Sequence, residues 1–317
     1  MFRKKKKSKS EITLSVVVLS FNTKNITDKC LSCLKVARKE FERKFEGKIE
    51  VIVVDNASSD NSAMMVKKKY PWVKLISEKE NTGFARGNNI AMKKARGDYF
   101  LLLNSDAYVG KNTLVDAISY MSKNEDCDVL GCKLVYEDGK FQPSSGFLPT
   151  VVNVPLWMFG IDKVPILQGY LKPFHPNHRS FFAEERKVGW IMGAFMLVKR
   201  EVFEETGGFD EEYFMYTEEV EWCRRISDLG FRVYFTPKFQ VTHLLRASGG
   251  FDVKKPISKE GDGVIYYFQK HYPKYAWIAK YSIIFGYLLR VLAFAFLGNR
   301  GKFEGYRDYI FELLWRK

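Results

Sequence analysis

Residues 81–107, NTGFARGNNIAMKKARGDYFLLLNSDA, place a glycine-containing turn, a helical stretch and an apolar run in direct succession. The pattern predicts a helix over about 84–95 and a buried strand over 98–103. Gly83 lets the backbone approach a ligand closely at the start of this helix. Arg86, one turn further on, has the length and the guanidinium group to bind a diphosphate. The stretch therefore predicts a helix followed by a buried strand, with a ligand bound at the turn before the helix.

Polar residues follow the apolar run directly, as Asn104, Ser105 and Asp106. A carboxylate at the end of a buried strand is an oxygen ligand of the kind that binds Mg²⁺ or Mn²⁺ between two phosphates. We therefore predict that Asp106 is a ligand of a divalent metal.

The same alternation of apolar runs and helical segments extends over residues 12 to about 135. The predicted strands lie at 12–20, 49–54, 73–77, 98–103 and 127–135, and the predicted helices at 26–41, 60–69, 84–95 and 112–123. Such alternation indicates an α/β fold with a Rossmann-like, mainly parallel sheet and helices on both faces. Ligands of these sheets bind at the carboxyl ends of the strands.

A second polar strand end occurs in VIVVDNASSDNS, residues 51–62. Asp55 ends the apolar run, where a carboxylate is able to accept hydrogen bonds from a nucleotide base or a ribose hydroxyl. Asp60 precedes the next helix and reads as a helix cap instead of a ligand contact.

Residues 137–187 break the pattern, because they hold six of the ten prolines and many bulky side chains. Long irregular segments in an enzyme-sized domain are often lids or binding loops, and a variable insertion without a direct role is an equal alternative. His175 and His178 lie here, and we expect both to be exposed to solvent instead of binding a metal.

Regular structure resumes after residue 187. We predict strands at 190–198, 231–236 and 239–243, and helices at 200–206 and 217–229. The last helix begins with Glu218, Glu219 and Glu221. On its own this cluster reads as a solvated helix start favoured by the helix dipole. His243, taken alone, is interpreted as a core histidine with its hydrogen bonds satisfied.

The net charge of +14 implies an anionic partner, which charge alone does not identify among nucleic acid, membrane and phosphorylated substrate. Part of this charge is the basic segment 1–11. Basic residues followed by the apolar run 12–20 mimic a signal peptide. No small-residue cleavage site follows, so we favour a buried strand.

Five cysteines form no dense disulfide pattern, which indicates a reducing compartment. Cys30 and Cys33 make a C-x-x-C pair, but they share a face with apolar residues at helical spacing. We favour core packing over a redox or zinc site, since no second pair at ligand spacing exists.

The segment 276–297 is nearly all apolar, but Lys280 and Arg290 interrupt it. The uncharged stretches are shorter than the roughly 18 residues of a spanning helix. We favour an amphipathic helix in the membrane interface, with Arg300, Lys302, Arg307, Arg316 and Lys317 towards anionic headgroups. The alternative is a terminal helix pair packed on protein.

Six motifs in order resemble those of the inverting nucleotide-sugar glycosyltransferases of family 2, which have the GT-A fold, and in particular its bacterial rhamnosyltransferase-like members. The motifs are VVVLSFN, VVDNASSD, NTGFARGNN, GDYFLLLNSD, GGFDEEYFMYTEEVEWCRR and THLLRAS. The resemblance covers about residues 12–250, which we expect to be the catalytic domain. Residues 251–317 would then form the C-terminal tail.

The resemblance implies roles for individual residues. Asp55 corresponds to the carboxylate that binds the base, Asp106 to the metal-binding aspartate, and His243 to a histidine that completes the metal site in some relatives. Glu219 falls on the catalytic base, where a glutamate replaces the usual aspartate, and Glu218 is the alternative. The remaining implied residues are Asn81, Gly83, Arg86, Asn104 and Ser105 on the nucleotide-sugar side, and Trp190, Gly193 and Glu218 on the acceptor side.

The implied reaction is a single displacement with inversion from a nucleoside-diphosphate sugar to a saccharide or lipid-linked acceptor, with Mg²⁺ or Mn²⁺ as cofactor. Rhamnose is the best guess for the sugar, bacterial surface polysaccharide synthesis the expected process, and the inner face of the cell membrane the expected location. A degenerate, membrane-attached sugar-nucleotide or polysaccharide-binding protein is the alternative. A nucleotidyltransferase is disfavoured because SFNTKNIT lacks a basic, glycine-rich triphosphate loop. Nucleic-acid binding has only the net charge in its favour.

Overall fold

The computed structural model describes residues 12–45, 47–167, 170–244 and 254–315. The basic segment 1–11, the link after Ser248 and the two terminal residues Arg316 and Lys317 lie outside these residues. What we expect of those three segments therefore stays a prediction.

The strands are β1 (Ile12–Ser20), β2 (Lys48–Asp55), β3 (Lys74–Ser77), β4 (Tyr99–Asn104), β5 (Ala107–Val109), β6 (Val129–Val135), β7 (Phe141–Gln142), β8 (Ser145–Gly146), β9 (Arg186–Lys187), β10 (Trp190–Ile191), β11 (Phe195–Lys199) and β12 (Val233–His243). The α-helices are α1 (Lys24–Lys44), α2 (Ser62–Lys69), α3 (Gly83–Met92), α4 (Thr113–Lys123), α5 (Asn153–Met158), α6 (Arg200–Thr206), α7 (Glu218–Asp228), α8 (Lys254–His271), α9 (Ala276–Phe296) and α10 (Arg300–Trp315).

The central sheet has the order β3-β2-β1-β4-β11-β6-β12-β5, and β7 and β9 pair with β6 and β12. The first four strands are parallel, as are β6 and β12. β11 lies antiparallel between β4 and β6, so the sheet is mixed at this point. The predicted α/β fold with a mostly parallel sheet is confirmed, and the antiparallel pairing of β5, β7, β9 and β11 is the part that the sequence pattern did not predict.

Alternating side chains of the parallel strands enter two separate cores. In β1, Val17 joins the core that contains α3, α6 and α7, whereas Val16 and Val18 join the core that contains α1, α2 and α4. Leu102 and Leu103 of β4 separate in the same way. This period of two, in runs of mostly apolar residues, is typical of a strand buried on both faces. It explains why residues 12–20 form a central strand, as predicted.

Two strand predictions need correction. Residues 190–198 form two strands, because β10 pairs with β8 in a small separate sheet and the chain turns before β11. The two strands predicted at 231–236 and 239–243 are one strand, since β12 (Val233–His243) continues along β6 through a register shift between Thr236 and Gln240. A bulge of this kind adds residues to one strand without ending the pairing.

All five cysteines are free, and Cys30 is fully buried in the core beneath α1. Cys33 is partly buried and packs against the same core. The prediction that the C-x-x-C pair serves core packing is confirmed.

The helices α8, α9 and α10 pack on the part of the chain that contains the central sheet. Val264, Ile283 and Leu313, one from each helix, are buried in the core that also contains α3 and α7. Arg290 donates hydrogen bonds to the carbonyl oxygens of Met158 and Gly286, at 2.8 Å each. One side of α9 therefore faces protein, as the alternative to membrane binding anticipated.

The other side of α9 is exposed and apolar, with Phe285 54%, Leu292 67% and Phe296 94% exposed. By length and composition the helical stretch Pro273–Phe296 is able to cross a membrane, and a third of its most apolar window is buried against protein. Such a helix is weak evidence of membrane association. The interfacial location of this segment stays a prediction.

Candidate active site

The carboxyl ends of β1, β2 and β4 meet at one edge of the sheet, because Ser20 pairs with Asp55 and Leu19 pairs with Asn104. This edge holds the predicted nucleotide-binding and metal-binding residues. Asp106 follows β4, and His243 of β12 pairs with the adjacent Ala107 of β5. Residues far apart in the sequence are thus brought to a common site.

Asp55 is buried and has one oxygen free for a ligand. Its Oδ2 accepts a hydrogen bond from the backbone N–H of Ser58 at 3.1 Å, whereas Oδ1 is buried without a hydrogen-bond partner. A buried acceptor without a donor is costly unless a ligand supplies one. Asp55 therefore fits the predicted contact with a base N–H.

Asp60 has a structural role. Its oxygens accept hydrogen bonds from the backbone N–H groups of Lys24 and Ser62, the first residues of α1 and α2, at 2.8 and 3.0 Å. The prediction that Asp60 is a helix cap is confirmed.

The turn before α3 is held by side-chain amides. Asn56 Nδ2 donates to Asn81 Oδ1 at 2.8 Å, and the same Oδ1 accepts from the N–H of Gly83 at 3.0 Å. Gly83 has a φ of +78°, and a Cβ there would lie 2.4 Å from the carbonyl oxygen of Phe214. Asn81 and Gly83 therefore shape the turn and fix its distance from the segment that precedes α7.

Arg86 is not buried at the strand ends. Its side chain is about half exposed, and Nε lies 3.9 Å from Glu211 Oε2. Binding of a diphosphate by Arg86 stays a prediction. It requires the Arg86 side chain to move away from Glu211.

Asp106 and His243 form a buried polar pair in the site. His243 Nε2 lies 3.3 Å from Asp106 Oδ1 and 3.4 Å from Asn104 Nδ2, and both Asp106 and His243 are buried. On its other side, His243 Nδ1 lies 3.0 Å from Gln142 Oε1. Because a carbonyl oxygen only accepts, a hydrogen bond between these two atoms requires the proton on Nδ1, and Nε2 faces Asp106 and Asn104.

This arrangement fits a divalent cation. A ligating histidine commonly donates its second N–H to a neighbouring acceptor, which fixes the ring, and Gln142 is such an acceptor. In the described residues no group of three or more His, Cys, Asp or Glu side chains converges, so Asp106 and His243 as metal ligands stay a prediction. Ligand phosphates often complete such sites around Mg²⁺. Ser105, whose Oγ lies 3.4 Å from Thr23 Oγ1, is held beside the pair.

The predicted base lies in the first turn of α7, after an unusual backbone. Tyr216 and Thr217 have φ values of 73° and 74°, a region that costs non-glycine residues about 1 kcal/mol or more. Glu218 and Glu219 follow, and each has an Oε2 atom that is buried without a hydrogen-bond partner. Strain of this kind is common where a side chain is held for function.

Both glutamates hold their protons more strongly than usual. Burial raises the pKa of Glu219 to about 7, although backbone hydrogen bonds at Glu219 and Gly193 oppose the shift. Burial, together with the charge of Glu219, raises the pKa of Glu218 well above its usual value. A general base works best with a pKa near the working pH, so Glu219 has the better matched carboxylate.

Glu221 is different from its two neighbours. Burial raises its pKa, but hydrogen bonds from His271 and Lys270 and the charge of Arg225 outweigh burial and lower the pKa to about 2. Glu221 is therefore a structural anion that ties α7 to α8.

On the predicted acceptor side, Trp190 is buried, and its Nε1 donates to the carbonyl oxygen of Phe174 at 3.0 Å. Gly193 lies against Phe84, where a Cβ would come within 2.9 Å of the ring. The backbone N–H of Gly193 donates a hydrogen bond to Glu219, and an acceptor role for Trp190 and Gly193 stays a prediction.

The expectation of exposed histidines is wrong for His175. Its ring packs between Trp157, Phe174 and Trp190, and burial lowers its pKa to about 3. His178 is partly exposed, and its Nδ1 lies 2.8 Å from Ser180 Oγ. The aromatic residues of 137–187 explain the difference, because they form a core around His175.

Sequence reasoning missed Gln142 and the left-handed pair Tyr216–Thr217. Gln142 lies in the irregular segment, where no spacing marks it as a partner of His243. Glycine or asparagine would have signalled the left-handed backbone, but neither occupies these two positions.

Comparison with known proteins identifies the family. Residues 15–207 match the model of Glycosyl transferase family 2. The chain is 25% identical over 257 residues to an N-acetylglucosaminyl-diphospho-decaprenol L-rhamnosyltransferase of Mycobacterium tuberculosis, covering 75% of this chain and 78% of the relative. It is 30% identical over 176 residues to rhamnosyltransferase WbbL of Escherichia coli, covering 51% and 60%.

Solved structures share the fold. A mannosyltransferase from Pyrobaculum calidifontis in complex with GDP-Man and Mn²⁺ superposes with a TM-score of 0.57 at 17% identity, covering 98% of this chain and 92% of the other. GalNAc-T7 with UDP, GalNAc and Mn²⁺ has a TM-score of 0.55 at 18% identity, covering 81% and 48%. These neighbours have the GT-A fold that the six motifs imply, and with the family match they lead to one conclusion: this chain is a glycosyltransferase and belongs to glycosyl transferase family 2.

Proposed function

We propose that this glycosyltransferase moves a sugar, with rhamnose as the best candidate, from a nucleoside-diphosphate donor to a saccharide on a lipid carrier. The proposal draws on the names of the rhamnosyltransferase relatives, one of which denotes a diphospho-decaprenol acceptor. The exposed apolar side of α9 supports a lipid-linked acceptor and a peripheral position on the inner face of the cell membrane. We keep 12–250 as the proposed catalytic domain and 251–317 as its proposed C-terminal tail.

The observation that carries the proposal is a set of polar groups at the carboxyl ends of the strands and in the first turn of α7. Asp55 has a free buried oxygen for the base, Asp106 and His243 lie 3.3 Å apart, and Glu219 has a raised pKa. A transfer from a nucleotide-sugar donor requires binding of the base, binding of a metal at the diphosphate and removal of a proton from the acceptor, and these residues would supply all three.

In the proposed reaction, Glu219 takes the proton of an acceptor hydroxyl as its oxygen attacks the anomeric carbon. The new glycosidic C–O bond forms on one face of the sugar, and the bond to the phosphate oxygen breaks on the other face. The nucleoside diphosphate departs with that electron pair, so the anomeric configuration inverts.

Asp106 and His243 would hold Mg²⁺ or Mn²⁺, and Gln142 would orient the imidazole. When bound, the cation supplies positive charge that stabilises the departing diphosphate. Asn104 and Ser105 would line the donor side, and Asp55 would hold the base. Glu218, which is buried next to Glu219 and has a pKa further above its usual value, would stay protonated on the acceptor side.

The test is a screen of dTDP- and UDP-sugars with purified protein and Mn²⁺ or Mg²⁺, comparing wild type with Asp106→Ala and the control Glu205→Gln on the exposed face of α6. We expect release of one nucleoside diphosphate that depends on the metal and is lost only in Asp106→Ala. Nucleotide binding without turnover in the presence of lipid-linked acceptors would favour a degenerate binding protein.

A further inference from the structure

A cavity of about 570 Å³ lies between the segment before α7 and the three C-terminal helices. Phe214, Met215 and Tyr216 line one wall, whereas residues of α8, Lys280 of α9 and Leu313 of α10 line the others. We refer to it as the α8 cavity. None of the residues assigned above to donor, metal or proton transfer lines it.

Two lysines of the α8 cavity have no acidic partner. Lys259 Nζ lies 5.8 Å from the centre of the Phe214 ring, and within the described residues neither Lys259 nor Lys280 forms an ion pair. Of the two carboxylates in the lining, Asp262 accepts a hydrogen bond from Tyr309 at 2.8 Å, and Glu212 is on the exposed rim. The lining therefore offers Lys259 and Lys280 as two cations to a ligand.

The α8 cavity is adjacent to the predicted base. Tyr216, in its wall, directly precedes Thr217 and Glu218. Gly263 of α8 packs against the same turn, where a Cβ would lie 2.6 Å from Thr217 Oγ1. A ligand in the cavity therefore lies beside the backbone that sets the position of α7.

The α8 cavity also adjoins the exposed apolar side of α9. Tyr281 follows Lys280 in the sequence and is 49% exposed, and Phe285 and Leu292 continue the same side of the helix. A ligand with an anionic group in the cavity would have room for an apolar chain along this surface.

We propose that the α8 cavity holds the phosphate linkage of a lipid-linked acceptor, with Lys259 and Lys280 as its cationic contacts. This inference rests on the proposed function, because it assigns one part of the acceptor. Lysine ammonium groups bind phosphate as mobile point charges with three donors each. With the phosphate at the lysines, the lipid lies along α9 and the saccharide extends past Tyr216 towards Glu219.

The test measures binding of farnesyl diphosphate, inorganic diphosphate and farnesol to the full chain. EDTA is present, so that no divalent metal holds diphosphate at Asp106. The variant is Lys259→Gln with Lys280→Gln, and the matched control is Lys274→Gln, an exposed lysine outside the cavity.

We expect farnesyl diphosphate to bind the double variant at least about tenfold more weakly, since two charge-assisted contacts are lost. Binding to Lys274→Gln and to Asp106→Ala should be unchanged, and farnesol should bind weakly and equally to all. Equal binding of farnesyl diphosphate to wild type and double variant would overturn the proposal. Equal affinity for inorganic diphosphate would assign the cavity to a soluble phosphate compound and overturn the lipid assignment.

The outcome is separable from that of the proposed function. Donor hydrolysis without acceptor should be the same in wild type and in the double variant, because neither lysine contacts the donor side. Absence of donor turnover in wild type would refute the proposed function while the binding measurement still decides the cavity.

Discussion

Glu221 of α7 and Lys270 of α8 form an ion pair of 2.8 Å, with the Glu221 side chain fully buried. The helix that carries the predicted base is thereby joined to the first helix of the C-terminal segment. His271 and Arg225 contact the same carboxylate. The C-terminal helices therefore help to hold the helix of the candidate site in place, whatever their relation to a membrane.

Glu221→Gln should lower the free energy of unfolding by about 3 kcal/mol at pH 7, because it removes the buried anion that Lys270 and Arg225 contact. The folded pKa of Glu221, about 2, lies below its unfolded value, so its contribution is present above the unfolded pKa and is lost as pH falls towards 2. Urea unfolding between pH 7 and 3 measures both effects. The exposed control Glu205→Gln should change little, and equal effects of the two variants would refute a structural role for Glu221.

Gly83→Ala tests the contact between the turn before α3 and the segment before α7. Gly83 and Gly139 both have a φ of +78°, but an added Cβ clashes only at Gly83, with Phe214. Gly139→Ala should therefore cost about 1 kcal/mol from the backbone alone. Gly83→Ala should cost at least about 1 kcal/mol more and weaken donor binding. Thermal unfolding and nucleotide titration measure the two quantities, and matching costs would contradict the close approach.

Gln142→Leu tests the orientation of His243. Loss of the acceptor at Nδ1 should weaken metal affinity by about 10- to 100-fold, as is typical for second partners of ligating histidines. The dependence of turnover on Mn²⁺ concentration measures the effect. Gln240→Leu, on the exposed side of β12, serves as the control. An unchanged metal requirement in Gln142→Leu would argue against His243 as a ligand.

The exposed side of α9 should bind membranes. Phe285→Glu with Leu292→Glu should weaken binding to anionic vesicles by at least about tenfold, since each large apolar side chain contributes about 1.5 kcal/mol or more when buried. Co-sedimentation with vesicles measures this. Met64→Glu, at an equally exposed apolar position on α2, should have no effect. Retained binding in the α9 variant would place this surface against protein instead of lipid.

Local pattern was sufficient for the first half of the fold. The predicted strand 12–20 coincides with β1, and the predicted strand 98–103 differs from β4 by one residue at each end, because buried parallel strands are continuous apolar runs. The insertion of β11 between β4 and β6 depends on pairing between distant residues, which no local pattern encodes. The packing of the partly exposed His175 was missed for the same reason, since its aromatic neighbours come from different segments.

In the candidate site, motif order predicted the meeting of Asp106 and His243, which lie 137 positions apart and 3.3 Å from each other. Arg86 shows the limit of that reasoning, because its side chain lies near Glu211. The sequence also gave no sign that Glu221 differs from Glu219. Lys270, His271 and Arg225, which come from two helices, lower the pKa of Glu221, whereas burial outweighs the backbone hydrogen bonds of Glu219 and raises its pKa.

Glu219 should control the pH dependence of transfer. Its folded pKa is raised to about 7, so kcat/KM should rise with pH through about 7 as the carboxylate ionises. The same shift makes wild type less stable as pH rises from the unfolded pKa through 7, since folding favours the protonated form. Glu219→Gln should therefore be more stable than wild type at pH 8, by about 1–3 kcal/mol.

The most direct test of the account compares sugar transfer by wild type, Glu219→Gln, Glu218→Gln and the control Glu205→Gln, with nucleotide binding and unfolding at pH 8 measured on the same samples. We predict that Glu219→Gln loses at least about 10²-fold in kcat, binds nucleotide normally and unfolds at higher denaturant concentration. Glu218→Gln should retain most activity. Transfer by Glu219→Gln at nearly the wild-type rate, or the large loss in Glu218→Gln instead, would contradict the assignment of Glu219 as the base.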